Sequence, residues 1–310
     1  MKRDDSLWKA ILEDVFDDFL RFFFEKADEV FDFNRPFEFL DKELEQLFPV
    51  NSDDFSPKYV DKLVKVFTKA GEEQWVLVHV EVQGSSDRAF AKRMFQYFYR
   101  IYDKYNHPII AFAILTDRNK SFQPKYFEEK FMGTSLRYDF NRYKILEQNE
   151  SELAKSDNPF AMVVLTALTA LKSGKISESE LLERKIGVLK RLVSNNFGRA
   201  KIEALMGFLK LYVRFGNPEN DIKFDSSLEQ LLNKPNKTMG LVEFVLDRER
   251  RIGEKRGEKR GEKRGEKKAR EQKLTFIRNL ITSTDFDNAK IAALADVTVE
   301  VVQKLRLELN

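Results

Sequence analysis

The chain has 310 residues, enough for one large domain or two modest ones, and its formal charge of +3, with 34% charged residues, names no partner by itself. Cysteine is absent and His79 and His107 are the only histidines, which excludes disulfides, thiolate metal sites and histidine-rich zinc sites. The first residues are broken throughout by acids, unlike a signal peptide, and no run approaches the ~20 apolar residues of a membrane helix, so a soluble, cytoplasmic protein with no membrane partner is expected.

From Trp8 to Phe24 apolar residues recur at helical spacing, with Glu13, Asp14, Asp17 and Asp18 opposite, so an amphipathic helix capped at Asp5 or Ser6 is predicted. A second short helix is predicted over 37–48, between Pro36 and Pro49. Residues 59–67 and 75–83 are rich in β-branched side chains and flank a turn-like stretch, the pattern of a hairpin. Residues 88–105 read as a helix and the apolar run 109–117 as a buried central strand, with one more strand within 135–146. This order predicts an α/β fold, a mixed sheet flanked by helices.

After Pro159 the pattern turns helical. Three segments joined by Gly, Ser and Asn suggest a helical domain or layer to about residue 246. The tetrapeptide Gly-Glu-Lys-Arg then repeats from Gly253, and residues 248–270 carry twelve basic residues against five Glu, a local +7 that leaves the rest of the chain at −4. Glycine at every fourth position costs roughly 1 kcal/mol per site in a helix, so a marginal helix or tether is one reading and a phosphate-binding tract a compatible second. Residues 274–310 contain two or three short helices, and 288–305 has the outline of a helix-turn-helix, with Thr298 placed to cap its second helix. Little beyond Lys304 and Arg306 is basic there, which favours packing or self-association over groove reading. The boundaries that follow are 1–150, 151–246, 247–273 and 274–310.

Within the hairpin, His79, Glu81 and Gln83 alternate with Val78, Val80 and Val82. A turn centred near Gly71 would set Asp61 opposite Glu81 on one face. Facing carboxylates repel unless a cation lies between them, and a divalent metal such as Mg²⁺ suits oxygen ligands. Against this stands the plain reading of a solvent-facing strand, with Lys62 or Lys65 neutralising a carboxylate.

These residues, VDKLVKV, then VHVEVQG, then AKRMFQYFYRIYDKYNHPIIAFAILTD, resemble the Rpn-type recombination-promoting nucleases, also called transposases, of the PD-(D/E)XK superfamily. The resemblance spans about residues 8–150 and is strongest over 58–117. It implies a PD-(D/E)XK-like sheet, followed here by an all-α region and a short helical tail, and a DNA endonuclease using Mg²⁺ or Mn²⁺. Asp61 matches the motif Asp and Glu81 the Glu, so both would hold metal together with the Val82 carbonyl. Gln83 stands where the motif has Lys and would orient the water or phosphate. Val60 precedes Asp61 where the motif has Pro, Pro57 being too early. Arg93, or Lys92, would supply the missing positive charge, and a third acid would come from Glu13, Glu43 or Glu45. The alternative is a non-catalytic DNA-binding or assembly protein that keeps the fold, for which the missing Lys speaks. Self-association is compatible with either.

Overall fold

A computed structural model of the chain describes residues 2–40, 60–71, 73–81, 89–232, 274–295 and 297–309; positions 2, 3, 60, 61, 73, 78–81, 232, 308 and 309 are described by their backbone alone. Residues Met1–Val245 form one compact unit and Leu246–Asn310 a second.

The first unit opens with α1 (Lys2–Asp14), α2 (Phe16–Phe23) and the short α3 (Ala27–Val30). The predicted N-terminal helix is therefore bent at Val15, although Val15 N–H still reaches Ile11 O and Phe19 N–H reaches Val15 O. The helix starts at Lys2, so Asp5 and Ser6 lie in its first turns and do not cap it. Leu7, Trp8, Ile11, Leu12, Val15, Phe16, Phe19 and Leu20 are all buried, as their spacing requires.

The predicted helix over 37–48 begins differently: Glu38–Phe39 is a strand, β1, that pairs with the next strand. Backbone pairing outcompetes the local helical pattern there, and residues 41–48 lie outside the described ones. β2 (Val60–Phe67) and β3 (Glu73–Glu81) form the expected antiparallel hairpin. After α4 (Phe90–Tyr105) the chain returns as β4 (Ile109–Leu115), parallel to β3. Asn106 closes α4 in the left-handed region, at φ 51°, a conformation that suits Asn.

β5 (Tyr126–Phe131) and β6 (Thr134–Asp139) form a separate two-stranded ribbon, and β7 (Asn141–Lys144) joins the main sheet parallel to β4. The main sheet is mixed, in the order β1-β2-β3-β4-β7. One of its faces, with Val64, Val66, Val76, Phe112 and Ile114, merges with the aromatic N-terminal helices in the largest core. The other face is covered by α4: Tyr97 and Ile101 pack on Leu63, Trp75 and Leu77, and Phe90 and Met94 on Ala111, Ala113 and Leu115.

The helical stretch comprises α5 (Glu150–Lys155), α6 (Pro159–Lys172), α7 (Glu178–Ser194), α8 (Arg199–Tyr212) and α9 (Pro218–Leu232). α6 is apolar nearly all round and buried nearly throughout, the mark of a core helix. Its start is specified locally, because Asn158 accepts from Phe160 N–H at 2.8 Å and Pro159 follows. α6 to α8 contribute to the same core as α1 and α2. Lys201 of α8 ties to Asp17 at 2.8 Å and Asp18 at 2.6 Å on α2.

In the second unit, a helical run over 274–283, here α10, is followed by α11 (Asn288–Ala295) and α12 (Val299–Leu309). They close on a small core of Ile277, Ile291, Ala292, Ala295, Val302 and Leu305. Thr298 directly precedes α12, its carbonyl accepting from Val301 N–H at 3.1 Å. The Gly-Glu-Lys-Arg tract lies outside the described residues. No helix among the described residues is long and apolar enough to cross a membrane.

Candidate functional site

The geometry of the site begins with the turn of the first hairpin. Phe67 pairs with Glu73, so the connection is five residues long and centred on Ala70. Gly71 is its closing residue: its N–H reaches Thr68 O at 2.9 Å and its φ is 88°, where glycine escapes the Cβ clash. Centring the turn on Gly71 was therefore wrong by one residue, and the cross-strand register by two. Asp61 pairs with His79, and Val60 with Val80.

Because side chains alternate with a period of two, a two-residue shift preserves the face. Positions 61, 79 and 81 still share one side of the sheet, and 61 and 81 are diagonal neighbours, about 7–8 Å apart by sheet geometry. The shared side is the one covered by α4, since Leu63 and Leu77 continue the same alternation into the cluster beneath Tyr97.

The registers extend this side into two rows across the sheet. One runs Asp61, His79, Ala113, Arg142; the next runs Glu81, Leu115, Lys144. Both lie toward the C-terminal ends of the parallel strands, where open α/β sheets place ligands.

Arg142 and Lys144 are engaged. Arg142 is bonded to Gln123 and lies 3.7 Å from Glu147. Lys144, wholly buried, is paired with the equally buried Asp117 and donates to Asn119 O at 3.0 Å. Burial of a charge is tolerated only with such partners. These groups were not expected as site residues. Their signal was a polar residue, Asp117, ending an otherwise apolar run.

From above, α4 contributes Arg93. Its side chain is 6% exposed, one turn before Tyr97, with the guanidinium carbon 5.5 Å from the Phe90 ring centre. Lys92, the other candidate, is exposed.

Glu13 is on α1 and forms an ion pair with the fully buried Lys62. Lys62 alternates with Asp61 and so belongs to the opposite side of β2. Lys65 pairs with Glu38 at 2.8 Å. Val82, Gln83, Glu43 and Glu45 lie outside the described residues. Among the described residues no group of three or more His, Asp or Glu side chains gathers as a metal cage.

The class defined by this architecture is a mixed α/β protein with two acidic positions grouped on the helix-covered face of its sheet. A family model described as "Putative transposase, YhgA-like" matches residues 16–109, from α2 to the first residue of β4. It contains positions 61, 79, 81, 83 and 93, and it agrees with the Rpn-type resemblance. No curated protein and no solved structure matches the chain.

Proposed function

We propose that the protein is a metal-dependent DNA endonuclease of PD-(D/E)XK type, acting in recombination or transposition in the cytoplasm. The observation that carries this reading is the placement of positions 61 and 81 as diagonal neighbours on one side of an antiparallel pair, under the helix that brings in Arg93. The transposase description of the matched family supports DNA as the partner.

The donor chemistry fits a hard divalent cation. Asp61 and Glu81, on paired strands, and the Val82 carbonyl, next in sequence, would be oxygen donors, the set that Mg²⁺ or Mn²⁺ prefers, with the remaining positions left to water. When bound, such a cation supplies a nucleophile at neutral pH and offsets charge at the scissile phosphate. Gln83 would orient the attacking water or a phosphate oxygen through its amide, but it carries no charge. Arg93 would supply that charge, one turn before Tyr97, which packs with Leu63 and Leu77. α4 packs on the apolar part of this side, over Leu63, Leu77, Ala113 and Leu115.

Supercoiled plasmid with Mg²⁺ or Mn²⁺ tests the proposal. The parent nicks or linearises it, and Asp61→Ala and Glu81→Ala lose orders of magnitude in rate. Equal rates for parent and variants overturn the assignment.

Gln83 favours one rival reading, a DNA-binding or assembly protein without catalysis, in which the basic tract and the C-terminal helices hold the nucleic acid. Calorimetric titration separates the two. A binding module takes up DNA with unchanged affinity in chelator, and Mg²⁺ gives no heat that Asp61→Ala abolishes.

A further inference from the structure

The ribbon β5–β6 carries none of the proposed site residues and is built unlike the rest of the fold. Only its base is held: Phe127 stacks on Phe95 of α4 with ring centres 5.2 Å apart, and Tyr138 packs against Phe98 at 4.7 Å. Residues 128–137 are all exposed. Isolated two-stranded ribbons are marginal in water, so an exposed one that carries large apolar groups calls for a covering partner.

The two sides of the ribbon differ. One bears Glu128, Lys130, Arg137 and Asp139, which pair among themselves: Lys130 with Glu128 at 3.2 Å and Arg137 with Asp139 at 2.8 Å. The other bears Phe127, Phe131, Leu136 and Tyr138, with Glu129 and Thr134 among them, and continues from the buried base to Phe131, which is 70% exposed. The tip turn is Met132-Gly133, with φ of 45° and 88°. Two residues at positive φ make a tight hairpin turn that favours Asn-Gly, so Met at the first place holds its backbone at a steric cost. Its side chain is 91% exposed. A strained, exposed methionine beside an exposed phenylalanine points to a contact at the tip.

We infer that this contact is made with a second copy of the chain, by antiparallel pairing of β5 with β5. Neither outer edge of the ribbon is paired among the described residues. A two-fold axis perpendicular to the ribbon requires partners whose numbers sum to an even value, since cross-strand neighbours share a face.

Centred on Glu129, the pairing sets Glu128 against Lys130 twice and Phe127 against Phe131 twice. Shifting the centre to 128 or 130 loses both matches. The Phe131 and Met132 of one copy would then reach the aromatic stack of the other, Phe127, Phe95 and the half-exposed Tyr99. The exposed part of the ribbon has two acids and two bases, a balance that suits a protein partner and not a polyanion. The one repulsive contact is Glu129 against its own copy on the axis.

The absence of cysteine gives a direct test with the full chain. Glu129→Cys places one thiol on the axis. Directly opposed residues have Cα atoms about 4.5–5.5 Å apart, within disulfide range. Oxidation should yield a cross-linked dimer, whereas Ser135→Cys on the far strand should not.

Sedimentation of the parent over a concentration series should show a monomer–dimer equilibrium. Phe131→Glu should weaken it at least about tenfold. Glu128→Lys should weaken it, and adding Lys130→Glu should restore it. Glu129→Gln should tighten it. A parent that is monomeric throughout overturns the inference. So does a dimer indifferent to Phe131→Glu, or cross-linking equal for positions 129 and 135. All these positions are exposed, so the fold is expected to survive each substitution, and far-ultraviolet dichroism checks it.

Discussion

The two faces of the main sheet are built from the same strands and put to different use. Toward the N-terminal helices, Val64, Val66, Val76, Phe112 and Ile114 continue into a dense aromatic core in which Phe19 lies 5.1 Å from both Phe112 and Phe160. The one buried charge known on that side of β2, Lys62, is paired with Glu13. Toward α4 the apolar layer runs to the end of β4 at Leu115, but on the strands beside it the rows change beyond Leu63 and Leu77 to Asp61, His79 and Glu81, and on β7 to Arg142 and Lys144. Charged positions on a covered face are expensive, and their concentration at one end of one face marks where the fold serves something besides packing.

The comparison breaks most visibly in stability. Phe19→Ala, on the packed face, should cost about 3–5 kcal/mol in chemical denaturation. Glu81→Gln, on the other face, should leave stability unchanged or raise it by relieving repulsion with Asp61, while cleavage falls. Equal destabilisation by both would mean that the two faces are alike.

The buried Asp117–Lys144 pair tests whether every charge on the α4 side is functional. Removing one partner strands the other, so Asp117→Ala should cost about 3–5 kcal/mol, whereas Asp117→Leu with Lys144→Met should come close to the parent. If the double variant folds normally and still cleaves DNA, the pair is structural and the site ends at Glu81. Within α4 the contrast is sharper: Arg93→Ala should lower cleavage by about 10²–10³-fold and the exposed Lys92→Ala should not change it. Single-turnover rates on plasmid provide the check.

How much of this was legible depended on the range of the information. The alternation in 59–67 and 75–83 and the apolar period of 88–105 are local, and the strands and helix appear where they were expected. The shared side of positions 61 and 81 follows from parity and survived the error in register. The register itself depended on whether Gly71 centres the turn or closes it, which composition does not reveal. β5 was missed because YFEEKF lacks a clean alternation and its turn is Met-Gly, a poor signal for a hairpin. The Asp117–Lys144 pair joins residues 27 apart in sequence, one just past the end of β4 and the other on β7, and no local pattern announces such a partner.

A last contrast lies outside the sheet, where a third fully buried lysine has carbonyls in place of a carboxylate. Lys185 of α7 donates to Val213 O at 2.7 Å and Lys210 O at 3.2 Å, closing the end of α8, with Phe215 and Phe224 ring centres 4.5 and 4.3 Å away. Burial is the main influence and lowers its pKa from the ordinary 10.5 to about 8, with Asp221 and Asp225 acting in the opposite sense and Lys210 in the same one. Between these values the unfolded chain holds the proton and the native one does not, so this group makes stability rise with pH from about 8 to 10.5. Below that window the native state carries the full cost of the buried ammonium. The stability of the parent relative to Lys185→Met should therefore increase across the window, by at most about 3 kcal/mol. Urea titrations of both proteins at several pH values measure the difference directly. A flat or falling difference would mean that the two carbonyls and the nearby aspartates hold the ammonium as well as water does, and that burial is not what governs this lysine.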